Sequence, residues 1–129
     1  MELNIIQKRI YEIRGVRVML DFDLADLYLV ETKVLKQSVR RNLDRFPEDF
    51  MFELTPEEYN CLIISLRSQI VTSNEKGGRR YMPYAFTEQG IYMLATVLRG
   101  ELAEQQSIFI MRAFREMRHY IRQNQQFVT

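Results

Sequence analysis

Between Asp21 and Phe46 the chain reads DFDLADLYLVETKVLKQSVRRNLDRF, and its apolar positions recur at helical rather than alternating spacing. Leu35, Val39, Leu43 and Phe46 make one stripe, with Lys33, Lys36, Gln37, Arg40, Arg41 and Asp44 off it. The spacing predicts a helix over 32–45 with one packing face and one basic face. The segment before it is shorter. Leu24, Leu27 and Tyr28 surround Ala25, a residue small enough to let a second helix cross closely. Two helices joined by a very short turn are the outline of a helix-turn-helix. Glu31 and Thr32 supply the expected cap of the second helix. Leu29 stands where such turns favour glycine, so the turn is expected to use another geometry or to carry strain.

The pattern elsewhere is mixed. Residues 4–13 fit a short helix or a strand equally well, and Arg14-Gly15 reads as a turn into a strand ending at Leu20. Pro47 biases Phe46 out of the helical region and should end the second helix. Phe50–Leu54 is an aromatic strand. Thr55-Pro56-Glu57-Glu58 then opens a helix with a cap, a proline at its first position and acids in its first turn, and Tyr59, Leu62, Ile63 and Leu66 are its packing face. A glycine-containing basic loop, Lys76-Gly77-Gly78-Arg79-Arg80, leads to a strand over 81–86, where Pro83 predicts an edge position or a bulge. Thr87 should cap a helix that Gly100 stops. A long helix from Glu101 to about Arg122 carries more apolar surface than one side needs. Its loose heptad at Ala103, Gln106, Ile110, Ala113, Met117 and Tyr120 suggests central burial ahead of a self-association seam. The polar segment 123–129 is expected to be a tail or linker.

Composition narrows the class. With 129 residues, 47% of them hydrophobic and including 8 Phe and 7 Tyr, one folded domain over 1–122 is expected. No apolar run is long enough to span a bilayer, and the start MELNIIQKRI lacks a signal-peptide pattern, so no membrane association and a cytoplasmic location are expected. The net charge of +1 excludes a uniformly basic coat protein, but the charge is segregated. Residues 31–45 hold five Lys/Arg against two acids and 76–100 hold four against one, while 46–75 hold six acids and Arg67 alone. One nucleic-acid-facing side would give this distribution.

Catalytic chemistry finds little support. His119 is the single histidine and lies among arginines, as a solvated helix residue does. Asp21, Asp23 and Asp26 are explained by the positive end of a helix dipole without a metal. The spacing around Lys76-Gly77-Gly78-Arg79 is not that of a phosphate-binding loop. Cys61, the sole cysteine, lies in an apolar run and is expected to be a buried thiol. No catalytic residue, metal or cofactor is therefore expected. The basic loop fits better as a wing beside the 32–45 helix. Thr32, Lys33, Lys36, Gln37 and Arg40 would face the major groove, with Gln37 and Arg40 at base edges, and Arg41, Arg45, Lys76, Arg79 and Arg80 would serve phosphates.

Several blocks together resemble a known family. Ile13-Arg14-Gly15, Val18-Met19-Leu20-Asp21, Asp23-Leu24-Ala25, Leu27-Tyr28, Arg45-Phe46-Pro47-Glu48-Asp49-Phe50-Met51-Phe52 and Pro83-Tyr84-Ala85-Phe86-Thr87-Glu88-Gln89-Gly90 are similar to the KilA-N-type DNA-binding domain in its ORF-six-N branch. The resemblance implies an N-terminal module of phage or prophage regulators and antirepressors, often joined to a separate C-terminal module. The family commonly has glycine where this chain has Leu29. The expected fold is α+β: a winged helix-turn-helix-like domain with a small antiparallel sheet and a long C-terminal helix. The expected partner is double-stranded DNA. The alternative is a protein-interaction module that binds a repressor, or a second copy of itself, through residues 101–122.

Overall fold

The Arg14-Gly15 pair folds the chain back on itself through a two-residue hairpin loop, both residues having positive φ (57° and 76°), which matches the right-handed twist of the flanking strands. A computed structural model describes residues 3–65 and 82–128. Its elements are α1 (Leu3–Gln7), β1 (Tyr11–Ile13), β2 (Val16–Leu20), α2 (Asp21–Tyr28), α3 (Thr32–Arg41), a 3-10 turn (Leu43–Arg45), β3 (Met51–Glu53), α4 (Pro56–Ser65), β4 (Tyr84–Phe86), α5 (Glu88–Leu98) and α6 (Glu101–Val128). The fold is α+β. Its four strands form an antiparallel sheet in the order β1-β2-β4-β3.

Strand alternation divides the core into two. Met19, Phe86 and Met51 lie in register across β2, β4 and β3 and join the larger cluster with Leu24, Leu35, Val39, Ile91, Leu94, Ile110 and Phe114. Their neighbours Leu20, Ala85 and Phe52 are also in register. They turn to the opposite face, where Leu54 and Tyr59 complete a smaller cluster with α4. The sheet is thus covered on one side by α2, α3, α5 and α6 and on the other by α4.

Several expectations change in detail. Pro83 marks no edge, since β4 is an interior strand that begins only at Tyr84, and the Pro83 carbonyl accepts the Leu54 N–H at 3.0 Å. The second helix ends at Arg41, where the Asn42 side chain donates to Ser38 O at 2.9 Å and the chain tightens into the 3-10 turn. That change of pitch swings Leu43 out of the stripe to 55% exposure, while Phe46 returns to the core and meets Phe86 edge to face. The expected cap behaves differently too: Glu31 occupies the N-cap position of α3 without a side-chain capping bond. The cap at Thr55 is reciprocal: Thr55 Oγ1 accepts the Glu58 N–H, and Glu58 accepts the Thr55 N–H at 2.8 Å. Cys61 is exposed, because it stands off the face of α4 that carries Tyr59, Leu62 and Ile63 inward.

The segments 123–128 and 101–122 form one continuous helix, so the stretch expected to be a linker is helical through Val128. The central burial expected of α6 is seen at its heptad positions Ala103, Ile110 and Ala113, which are buried, and Gln106 Nε2 donates to Leu27 O at 2.7 Å. Beside it the Tyr28 and Ser107 hydroxyls, both buried, are 2.6 Å apart and pin the end of α2 to α6.

Candidate nucleic-acid interface

The connection between α2 and α3 consists of Leu29, Val30 and Glu31. Leu29 adopts the left-handed conformation (φ 57°, ψ 43°) and is 75% exposed. The Val30 N–H reaches Ala25 O at 3.0 Å and the Leu29 N–H reaches Asp26 O at 3.3 Å, the paired bonds of a Schellman C-cap. The geometry normally given to glycine is therefore kept, and leucine is held in it. This turn sends α3 across α2, with Leu35 and Val39 fully buried beneath it.

The outer surface of α3 is basic. Lys33, Gln37, Arg40 and Arg41 are exposed, Arg45 continues the surface from the 3-10 turn, and Thr32 is half-buried at the first helical position. No acid lies between Lys33 and Arg41. Lys36 departs from the outward set expected of it. Its side chain is only 12% exposed, its ammonium lies 3.7 Å from Asp21 Oδ2 and 4.5 Å above the Tyr84 ring, and it donates to Met82 O at 3.3 Å. Arg40 is partly committed as well, with Nε donating to the Tyr84 hydroxyl at 3.2 Å. Tyr84, itself buried, thus seats the helix from below through two cations. The expected loop residues Lys76, Arg79 and Arg80 lie outside the described residues; the described chain resumes at Met82, the residue Lys36 binds.

Two residues central to this arrangement carried no functional expectation. Asp21 is 1% exposed and its Oδ2 accepts the Tyr84 N–H at 2.9 Å, which closes the start of β4 onto the start of α2. An acid inside the otherwise apolar run Val18-Met19-Leu20-Asp21-Phe22 was the available signal, because burial of a carboxylate demands donors. Asp23 is the second. Burial pushes its carboxyl up to about 6 against the pull of Arg9, whose Nε is 3.9 Å away. Arg9 also binds Asp26 at 2.9 Å. The three aspartates therefore divide between a structural anchor and a surface ion pair. Among the described residues no group of three or more His, Cys, Asp or Glu is placed to hold a metal ion. No helix among them is long and apolar enough to cross a membrane.

The two distinctive sequence blocks meet in space. Thr87, at the N-cap of α5, accepts the Gly90 N–H on its hydroxyl oxygen, and that hydroxyl lies 3.0 Å from Asp49 O and 3.2 Å from Phe50 O as a donor to either. The Thr87 N–H also donates to Phe50 O at 3.0 Å. Gly90 packs so tightly on the Phe50 carbonyl that a Cβ would stand 2.0 Å from its oxygen. RFPEDF and PYAFTEQG are thus the two halves of one joint between β3, β4 and α5.

A basic-faced helix is thus carried on an α+β scaffold, above a joint that the two sequence blocks build together. Residues 8–97, which contain α3 and the joint beneath it, match the family model of the ORF6N domain, and the chain belongs to that family. Membership places it with phage-type, antirepressor-like regulatory domains. No curated protein and no solved structure matches the chain.

Proposed function

We propose that this domain binds double-stranded DNA as the reading module of a phage- or prophage-type transcriptional regulator, in the manner of a winged helix-turn-helix. The carrying observation is α3 itself: Leu35 and Val39 are completely buried, while Lys33, Gln37, Arg40 and Arg41 leave the opposite surface free of acids. In this reading α3 lies in the major groove. Gln37 reaches base edges, where its amide matches the donor–acceptor pair of adenine, and Arg40 leaves Tyr84 to contact a neighbouring base. Lys33, Arg41 and Arg45 neutralise phosphates, and Thr32 offers its hydroxyl at the positive end of the helix. Lys76, Arg79 and Arg80, which the sequence assigns to a basic loop, add further phosphate contacts.

Lys36 has a different part, holding α3 on Tyr84 and Asp21. Fluorescence-anisotropy titration of duplex DNA over a salt series tests the proposal, with Lys33→Ala/Arg41→Ala as the comparison. Loss of two phosphate contacts lowers the slope of log K against log salt by about 2 and weakens binding at every sequence tested. A double variant that binds with the parent's affinity and salt slope would overturn the reading.

A further inference from the structure

The flank of α6 beside α5 carries a second pattern. Glu101, Glu104, Ile108, Met111, Arg115 and Arg118 follow one another at steps of three and four, the spacing of a helix-pairing seam. Met111 is half-buried and the other five are exposed, Ile108 at 49%. The face borders a groove of about 650 Å³ between α5 and α6, whose α5 wall presents Tyr92 at 68% exposure. We propose that this face is the pairing surface of a two-fold dimer, and that its occupant is α6 of a second copy running antiparallel.

The charge order selects that occupant. Acids lie at one end of the seam, bases at the other and apolar side chains between them, so the pattern is its own complement when reversed. An antiparallel partner centred between Phe109 and Ile110 sets Glu104 against Arg115, Glu101 against Arg118 and Ile108 against Met111. By the two-fold symmetry each contact occurs twice. A parallel copy would oppose like charges, and a peptide of one sign would match only half of the seam. Tyr92, which lines the groove with Met111 and Arg115, then covers Ile108 of the other copy. Arg118 keeps its bond to Glu88 at the rim. The proposal does not depend on DNA binding. If both hold, the dimer presents two copies of α3 and imposes a two-fold repeat on the DNA site.

Sedimentation velocity of the full chain over a concentration series tests it, with Glu104→Arg, Arg115→Glu and the double exchange as variants. The parent forms a dimer that weakens with salt. Either single reversal places like charges opposite at two symmetric positions and raises the dimer dissociation constant by roughly 100-fold. The double exchange restores pairing with the charges swapped. Circular dichroism confirms that all three variants retain the parent's helix content. A parent that stays monomeric up to about 1 mM, a dimer indifferent to the single reversals, or a double exchange as weak as the singles would each overturn the proposal.

Discussion

Lys36 Nζ lies 3.7 Å from Asp21 Oδ2, in a position where the carboxylate also accepts the Tyr84 N–H at 2.9 Å. Asp21 is almost wholly buried, so the carboxylate is stabilised by these donors in place of water. Replacing Asp21 with alanine takes the acceptor from the Tyr84 amide and the counter-charge from the Lys36 ammonium together. The expected destabilisation is about 3 kcal/mol in urea unfolding, the range for breaking a buried charged network by removing one partner. Asp21→Asn keeps an acceptor for Tyr84 but loses the attraction to Lys36, and falls between the two. An Asp21→Ala variant as stable as the parent would show that the Tyr84 amide finds another acceptor at little cost.

The same contact separates folding from binding on α3. Lys36→Met retains much of the aliphatic packing on Tyr84 while removing the charge. It is expected to lower stability by roughly 2 kcal/mol, because Asp21 loses a cationic neighbour in a buried setting. Any DNA affinity measured below its melting range should keep the parent's salt slope. Lys33→Ala, on the exposed side, is expected to do the reverse: stability within about 0.5 kcal/mol of the parent and a shallower salt slope. Paired denaturation and anisotropy measurements on the two variants check this division.

Asp23 predicts a pH dependence of defined sign. Its carboxyl is held at about 6 in the folded chain, chiefly by burial, against an ordinary value of 3.8. Arg9 and, more weakly, the Tyr11 hydroxyl pull the value down, while Asp26 and Asp21 add to the upward push. Between about pH 4 and pH 6 the folded chain therefore binds more protons than the unfolded chain, and stability falls as pH rises through that window. The full cost above pH 6 is on the order of 3 kcal/mol for a group this buried. Asp23→Asn removes the titration. Its unfolding free energy relative to the parent's should rise from pH 4 to 6 and should exceed the parent's at pH 7, whatever the other carboxyls contribute to both chains.

The sequence made some features legible and hid others for physical reasons. Helix starts at Thr55 and Thr87 were readable because a capping hydroxyl and its amide partner lie within three residues. The basic face of α3 was readable because period 3.6 separates Leu35 and Val39 from Lys33, Gln37 and Arg41. The inward turn of Lys36 was not, since it depends on Asp21 and Tyr84, which lie far from it in the chain and meet it only when β4 inserts between β2 and β3. Pro83 misled for a related reason. A proline argues against an interior strand only if its missing N–H falls within the paired residues, and pairing here starts at Tyr84. Cys61 followed its place on α4 rather than the burial habit of its residue type.

Gly90 is the point where a single methyl group should be most damaging. A Cβ there would meet a backbone oxygen at 2.0 Å, and a carbonyl within the β3–α5 joint cannot rotate away as a flexible side chain would. Gly90→Ala must separate α5 from Phe50, which also stretches the Thr87 bonds to Asp49 and Phe50. A loss of about 3 kcal/mol or more is expected, despite the gain in helix propensity that alanine brings elsewhere. Gly90→Ala with a melting temperature equal to the parent's would mean that the joint is looser than its geometry indicates.

Leu29 offers the opposite test, a substitution that should stabilise. Its left-handed conformation costs an L side chain about 1–2 kcal/mol, and with 75% of the residue exposed there is little burial to offset that cost. Leu29→Gly relieves the strain while adding some backbone freedom to the unfolded chain, for a net gain of about 0.5–1 kcal/mol. Leu29→Ala keeps the Cβ in the left-handed region and should gain almost nothing. The contrast between the two variants isolates the backbone from the loss of side-chain contacts. If the turn also positions α3 for its ligand, Leu29→Gly should leave DNA affinity unchanged, because the two Schellman bonds already fix the geometry that glycine would adopt. Chemical denaturation of the three chains side by side decides it: equal shifts for glycine and alanine would mean that the leucine side chain, and not its φ angle, governs the stability of the turn.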